Sequence, residues 1–342
     1  MTSASLAFSG SCSIPNSIFP CFAGALTKRI VQGRRMSHHP TVTLRKKKMS
    51  TVRQEFEIAR KHTPDFGGRT LLLEVGMFAF AITATWATLA DALPFWVGMI
   101  ANTVFVYGIY TVVHEAVHAN ISSRSKNLRW VDTVAGMIAC VPLWLLYHQH
   151  RRQHMEHHTH TNEDVDPDIY ARGSFSVWIF IKLPQALINY FNPVQHYRDC
   201  LRFGCTKREI IYTFVIFTAY AAVLLGLLAA GYWKEVLLLW FIPWWIGQTV
   251  MLTFFTWTPH HDHTETGRYR NTRVSLFPGA NVLLQGQNYH LIHHMVPSVP
   301  YYRYKPVFDE MRPLLDQNDV RIEGIWPNPA NERHDSPTQP AE

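Results

Sequence analysis

Four stretches of the chain are long and apolar enough to cross a bilayer, whose hydrocarbon core of about 30 Å takes about 20 residues of helix. They are Leu71–Ala90, Leu93–Val113, Ile210–Tyr232 and Val236–Thr258, and only the first holds a charge, Glu74. Pro243 predicts a bend in the fourth, which membrane helices tolerate. Two further apolar segments are broken by polar residues. Trp130–Tyr147 contains Asp132 and Pro142 and reads as re-entrant or interfacial; Ser174–Phe191 reads as an interfacial helix whose Lys182 snorkels to water. The competing reading is a set of buried helices in a large soluble α-domain. Charged residues make up 17% of the chain, against about 25% in soluble domains, which disfavours it.

The polar positions sort by side. The links between spans, Asp91–Ala92 and Trp233–Glu235, hold one basic residue between them, Lys234. The other 31 of 32 Lys and Arg lie before the first span, between the second and third, or after the fourth. A positive-inside bias puts those three regions on one side. The expected fold is an all-α integral membrane protein: four transmembrane helices in two hairpins, with a His-rich cap on the cytoplasmic side, or the stromal side in a plastid. No internal repeat and no second domain is visible.

That cap is where the histidines fall. None of the 19 lies on the opposite side, and three clusters are tight. His114 and His118 form HxxxH at the end of span two. His154, His157 and His158 form HxxHH, as do His290, His293 and His294. Pro259-His260-His261-Asp262-His263 follows span four. Residues three and four apart share a helix face, so each cluster aims two or three imidazoles at one point. One zinc takes about four ligands, so eight or nine converging rings imply two metals. Imidazole suits Zn, Cu, Fe and Ni alike, and ligand type alone does not choose. A metal transporter would want ligand residues inside the spans, and spans three and four offer few.

Composition narrows the class further. The five Cys make no CxxC pair, which excludes a disulfide scaffold and a Cys-based zinc or iron–sulfur domain. The net charge of +7 belongs to the N-terminus: residues 1–54 carry nine Lys/Arg and no acid, and the rest carries 23 basic and 25 acidic groups. The pI of 9.2 is therefore no argument for nucleic-acid binding. Residues 1–54, Ser/Thr-rich and basic, read as an organelle transit peptide, plastid rather than mitochondrial because the first basic residue is Lys28. The alternative is a retained basic tail on anionic lipid. The expected organisation is the extension 1–54, a catalytic membrane domain 55–326 and a loose polar tail 327–342.

The three His clusters, in this order and spacing over roughly residues 70–310, resemble the membrane fatty acid desaturase/hydroxylase superfamily. The run from His154 to Asn162 followed by Asp166-Pro167-Asp168 is similar to the family's second box and acidic turn. The resemblance implies a non-haem di-iron centre that activates O₂. Iron is also sensible chemically, since zinc has no redox chemistry for an unactivated C–H bond. The implied ligands are His114, His118, His154, His157, His158, His290, His293 and His294, plus one after span four: His260, with His261 or His263 as alternatives. His148, His150 and His160 fall outside the boxes. Carboxylates available to orient ligand rings are Glu115, Glu156, Asp164, Asp166, Asp168 and Asp262.

The chain has no GxGxxG motif, no cluster-binding Cys set and no fused haem domain. Electrons must come from a separate donor. For a plastid member of the family the expected partner is a ferredoxin-like protein, met by Arg151–Arg152, Lys207–Arg208, Arg268, Arg270 and Arg273. Within the superfamily, Gly267–Arg273 and Gln287–Tyr302 are most similar to cyanobacterial-type β-carotene ring hydroxylases. That implies 3-hydroxylation of a carotenoid β-ring at a plastid membrane, catalytic face to the stroma. An acyl-lipid desaturase is the main alternative, with ketolases and other hydroxylases behind it and a non-enzymatic metal-binding or transport protein as the other class.

Overall fold

A computed structural model describes residues 50–260 and 264–324. The extension read as a transit peptide, the C-terminal tail, and His261, Asp262 and His263 lie outside the described residues. Within them, four helices are long and apolar enough to cross a membrane: α2 (Gly68–Leu89), α3 (Phe95–Val117), α8 (Lys207–Ala229) and α9 (Trp233–Trp257). They match the four expected spans and form the two expected hairpins. Around them lie α1 (Thr51–His62), α4 (Arg129–Cys140), α5 (Tyr147–Thr159), α6 (Phe175–Asn189) and α7 (Pro193–Arg202). The chain then runs through β1 (Val274–Ser275), α10 (Ala280–Leu283), α11 (His290–Met295), α12 (Tyr304–Leu315) and β2 (Ile322–Glu323). The two short strands pair in parallel.

α3 is the core of the bundle, packed on α2, α4 and α9. Its inner face buries Phe105, Val106, Ile109, Val112 and Val113. Gly247 on α9 allows close approach: a Cβ there would sit 2.6 Å from a Val106 methyl. α8 is the opposite case, almost wholly turned outward with only Thr213 buried. Its start is set by a capping box, in which Thr206 Oγ1 accepts from Glu209 N–H (3.3 Å) and the Glu209 carboxylate from Thr206 N–H (2.8 Å).

The expected bend at Pro243 has a precise cost and a precise remedy. Proline has no N–H, so the carbonyl four residues back, Leu239 C=O, loses its helical donor. A π-helical turn forms at Leu237–Phe241. Buried Asn102 of α3 donates its amide to that carbonyl at 2.9 Å and to Thr85 of α2 at 3.0 Å. One side chain thus ties three spans together at a defect in the fourth.

The segment Trp130–Tyr147 is not one element. α4 ends at Cys140, and residues 141–146 make an irregular turn containing Pro142 and Trp144 at φ +55°. Its Leu143 carbonyl accepts from Trp244 Nε1 (2.8 Å) and Gln248 Nε2 (3.0 Å) of α9. This break lets α5 start at Tyr147 in the direction that points its histidines at α3.

Candidate metal centre

Four pieces of chain meet at the end of the bundle where α3 and α9 finish. α3 brings His114 and its C-cap residue His118; α5 brings His154, His157 and His158. His260 follows α9, and α11 brings His290, His293 and His294. All nine expected histidines come together here. Their ligand atoms form three overlapping groups, each within 4.8 Å: His114, His118, His154 and His293; His157, His260, His290 and His294; and His158, His293 and His294 between them.

The contacts are made by Nε2 atoms. His114 meets His293 at 3.0 Å, His118 meets His154 at 2.9 Å, and His154 meets His158 at 3.2 Å. In the second group His157 meets His260 at 3.1 Å, His260 meets His290 at 3.0 Å, and His290 meets His294 at 3.2 Å. Two nitrogens bound to one metal at about 2.0–2.1 Å lie about 3 Å apart when cis.

At five of the nine rings the Nδ1 atom faces outward, onto a partner that holds the ring. His157 Nδ1 donates to Asp166 Oδ1 at 2.8 Å and His260 Nδ1 to the Asn271 carbonyl at 3.2 Å. His290 Nδ1 meets Gln287 Oε1 at 3.0 Å, His293 Nδ1 meets the Tyr304 hydroxyl at 2.9 Å, and His294 Nδ1 meets Thr161 Oγ1 at 3.3 Å. The Asn271 carbonyl can only accept, so His260 carries its proton on Nδ1. Its Nε2 then has one lone pair, facing two Nε2 atoms at 3.0 and 3.1 Å. One lone pair cannot serve two hydrogen bonds well, but a shared cation satisfies all three rings. The donor set fits two metals held by imidazole.

Electrostatics agree. Burial, reinforced by neighbouring rings, holds His118, His154, His158, His290, His293 and His294 well below the usual histidine range. The rings are therefore neutral and free to bind a cation. His157 differs: burial lowers it, but the carboxylates of Asp168 and Asp166 outweigh burial and raise it. A metal at His157 must displace a proton that these carboxylates favour.

Of the six expected carboxylates, Asp166 bonds a ring directly. It also accepts from the backbone N–H of Asn162 (2.7 Å) and Asp168 (2.8 Å), fixing the acidic turn. Asp168 and Glu115 stand 3.8 Å from His157 and His114. Glu156 stands 3.7 Å from His160, which pairs with Glu163 instead. His150 lies beside His154, its Nε2 3.4 Å from the Tyr110 hydroxyl. His148 packs on Tyr147 and Tyr212.

Spacing alone did not reveal Gln287, Tyr304, Thr161 or the Asn271 carbonyl. Gln287 precedes the third box by three residues and reaches both His290 and, at 3.5 Å, His114. Asn162, at φ +65°, donates to the carbonyls of Glu265 (2.6 Å) and Asn271 (2.8 Å), so the second box holds the loop that orients His260.

Four of the expected docking cations are engaged internally, Arg152 with Glu209 at 3.0 Å among them. Arg273 is fully buried and pairs with Glu323 at 2.6 Å. Arg270 pairs with Glu265 and Asp319, and Arg268 pairs with Glu55 at 2.8 Å. Arg151, Lys207 and Arg208 are exposed. Two aromatic residues of span four turn inward, Trp244 to the Leu143 carbonyl and Trp257 Nε1 to the Gly173 carbonyl at 3.1 Å.

A cavity of about 460 Å³ opens beside His154 and His150. Tyr110, Trp144, Tyr170 and Tyr190 give it aromatic walls; Gln149, Gln195 and His196 give it a polar side. None of its lining comes from Gly267–Arg273 or Gln287–Tyr302.

The chain is 24% identical to the sn-1 oleoyl-lipid 12-desaturase of Anabaena variabilis over 234 residues, 60% of this chain and 65% of that protein. It therefore spans just under two thirds of that relative. It is 24% identical to the enzyme of the same name from Picosynechococcus over 316 residues, 81% of this chain and 84% of that protein. It is 25% identical to the β-carotene ketolase of a Paracoccus species over 255 residues, 70% of this chain and 92% of that protein. The sequence model of the fatty acid desaturase family matches residues 90–326, a stretch that includes all nine converging histidines. The chain belongs to the fatty acid desaturase family, a family of membrane di-iron enzymes.

Proposed function

We propose that this protein oxidises a C–H bond of a membrane lipid, with O₂ as co-substrate, at two irons held by the nine histidines. The observation that carries this reading is the approach of His157, His260 and His290 through Nε2 atoms while the Asn271 carbonyl fixes the His260 proton on Nδ1. His114, His118, His154 and His293 would hold one iron and His157, His260, His290 and His294 the other, with His158 between. When bound, iron supplies the redox chemistry that O₂ activation and hydrogen abstraction require. The chain's own part is to orient and shield. Asp166, Asn271, Gln287 and Tyr304 keep the Nδ1 of His157, His260, His290 and His293 engaged so that Nε2 faces inward. Burial of the rings keeps water from the reacting centre. Tyr110 and Trp144 shape the cavity beside His154 for the end of a lipid that slides up from the bilayer.

The finer reading is 3-hydroxylation of a carotenoid β-ring. The resemblance of Gly267–Arg273 and Gln287–Tyr302 to ring hydroxylases supports it, as does the likeness to a β-carotene ketolase along 92% of that protein. Acyl-lipid desaturation stands at least level with it, because two oleoyl-lipid desaturases match and the resembling segments hold histidines instead of lining the cavity. A separate ferredoxin-like donor would supply electrons, docking through Arg151, Lys207 and Arg208. A plastid membrane, with the metal-bearing face to the stroma, is the location that the basic extension supports.

The test is expression in a host that makes both β-carotene and ordinary acyl lipids, with mass analysis of both pools. A gain of 16 mass units on carotenoid supports ring hydroxylation. A loss of 2 on acyl chains, with carotene untouched, assigns desaturation. No oxidised lipid in either pool, from protein loaded with iron and supplied with reductant, refutes the proposal.

A further inference from the structure

Between Arg273 and His290 the chain carries no charged residue. The segment Leu276–Gly286 within it does not stay in the cap. Tyr107 of α3 donates its hydroxyl to the Leu283 carbonyl at 2.6 Å. Thr111 of α3 hydrogen-bonds the Gln285 side chain, which also stands over Gly108: a Cβ there would lie 3.2 Å from Gln285 Nε2 and 2.6 Å from the Met77 methyl of α2. Tyr107 lies ten residues before Val117, the last residue of α3. At 1.5 Å per residue the Tyr107 backbone lies about 15 Å down the span, and the segment reaches the side chain it presents there.

That depth lies inside the apolar belt. On α2, Met77 marks the level. Leu72 and Val75, toward the histidine end, are 73% and 66% exposed; Phe80 and Ile82, on the other side, are 46% and 64% exposed. The outward face of the segment continues this surface, with Val282 79% and Leu283 60% exposed. Asn281 is its one exposed polar side chain.

Backbone in hydrocarbon must be satisfied within the protein, and here it is to a large degree. The N–H groups of Ala280, Val282, Leu283, Leu284, Gln285 and Gly286 all donate within the segment, at 2.8–3.2 Å. The Leu283 carbonyl, near the end of α10, is the one Tyr107 caps.

We propose that Leu276–Gly286 is a re-entrant element that enters the bilayer beside α2 and α3, with lipid acyl chains as the partner of Val282 and Leu283. The occupant follows from continuity with the lipid-facing surface of α2. Gln287 comes next in the chain and holds His290. The third histidine box is thereby fastened from the membrane side, and the metal centre is set at the bilayer boundary whatever lipid it oxidises.

The test uses the native chain in phosphatidylcholine vesicles that include a phosphatidylcholine with a diazirine in its acyl chain. Photolysis and peptide mass mapping should place adducts within 276–286 as well as within 72–86 of α2, and none within α12. Labelling of α2 with 276–286 unlabelled, as when a second copy of the chain or water covers the segment, overturns the proposal. As a second measurement, a nitroxide on Val282→Cys should be relaxed by O₂ in preference to a water-soluble nickel chelate, as on Ile82→Cys. The reverse preference also overturns it.

Discussion

Replacing Asp166 by Asn tests the outer layer of the metal centre at its most constrained point. The carboxylate is fully buried and accepts three N–H groups: His157 Nδ1 and Asp168 N on Oδ1, and Asn162 N on Oδ2. An amide offers one acceptor oxygen. Whichever way it turns, its NH₂ faces a donor. With oxygen at the Oδ1 position, Asn162 N–H loses its acceptor. With oxygen at the Oδ2 position, Asp168 N–H loses its acceptor and His157 can bond the NH₂ only by moving its proton onto Nε2, the metal-binding atom. Leaving one buried donor unmade costs about 1–3 kcal/mol. Losing the carboxylate behind a metal-binding histidine costs about 10–100-fold in metal affinity, or about 1.4–2.7 kcal/mol. The assay is metal content per chain after equilibration against a graded chelator, with thermal unfolding of the metal-free protein alongside. Asp166→Asn should release metal at about 10–100-fold weaker chelation and unfold earlier. Asp168→Asn is the control, since its carboxylate lies 3.8 Å from His157 Nδ1, beyond hydrogen-bond reach. Wild-type retention in Asp166→Asn, or equal loss in Asp168→Asn, would refute the reasoning.

Other outcomes follow from the same geometry. His293 belongs to the group of His114, His118 and His154 and leaves the group of His157, His260, His290 and His294 untouched, so His293→Ala should lower metal to about one per chain and abolish oxidation while the protein still inserts in membrane; metal analysis of purified protein checks this. In the metal-free protein, burial holds six of the rings below their ordinary value. Below the unfolded histidine pKa of about 6.5 the unfolded chain then takes up protons that the folded one refuses, so stability is full above that pH and falls as pH drops through it. The slope is up to about 1.4 kcal/mol per pH unit for each ring, read as melting temperature from pH 8 to 5.5. A chain starting at Met49 should keep full activity. One starting at Thr63 lacks α1 and so Glu55, the buried acceptor of Arg268 and Tyr269, and should lose about 1–3 kcal/mol of stability by thermal unfolding.

What was legible in the sequence was local. Span length reads directly from runs of apolar residues, and HxxxH and HxxHH convert to one helix face without knowledge of the fold. The ring-orienting partners were only partly legible, because most of them come from elsewhere in the chain. Asp166 stood out as an acid near the second box, whereas Asn271 acts through a backbone carbonyl and Tyr304 lies eleven residues from the ring it meets. Charge misled where burial decides. Arg268, Arg270 and Arg273 look like a docking patch in a row, yet each is paired inside the fold, and Glu323, the partner of Arg273, lies 50 residues away. The re-entrant segment was invisible for a different reason. It is too short for a span, and its depth depends on the contacts of Leu283 and Gln285 with α3.

The division of labour in the cap bears on substrate choice. The segments that carry the family resemblance, the three boxes with Gly267–Arg273 and Gln287–Tyr302, supply the converging rings or hold them. Under the proposed function they would be constrained by the metals, which the desaturases and ketolases of the same superfamily share. The walls of the cavity beside His154 come largely from elsewhere: α6 and α7, the turn at Trp144–Leu146 and the end of α9. Under the proposed function those walls would decide which carbon of a lipid faces the metals, and hence whether a first hydrogen loss is followed by oxygen transfer or by a second hydrogen loss. Similarity around the boxes therefore speaks to the first step of the reaction, and the residues of α6 and α7 to the second. Exchanging Gln195 and His196 on α7 should change product distribution at unchanged metal content. Exchanging residues of the third-box flank should change both together.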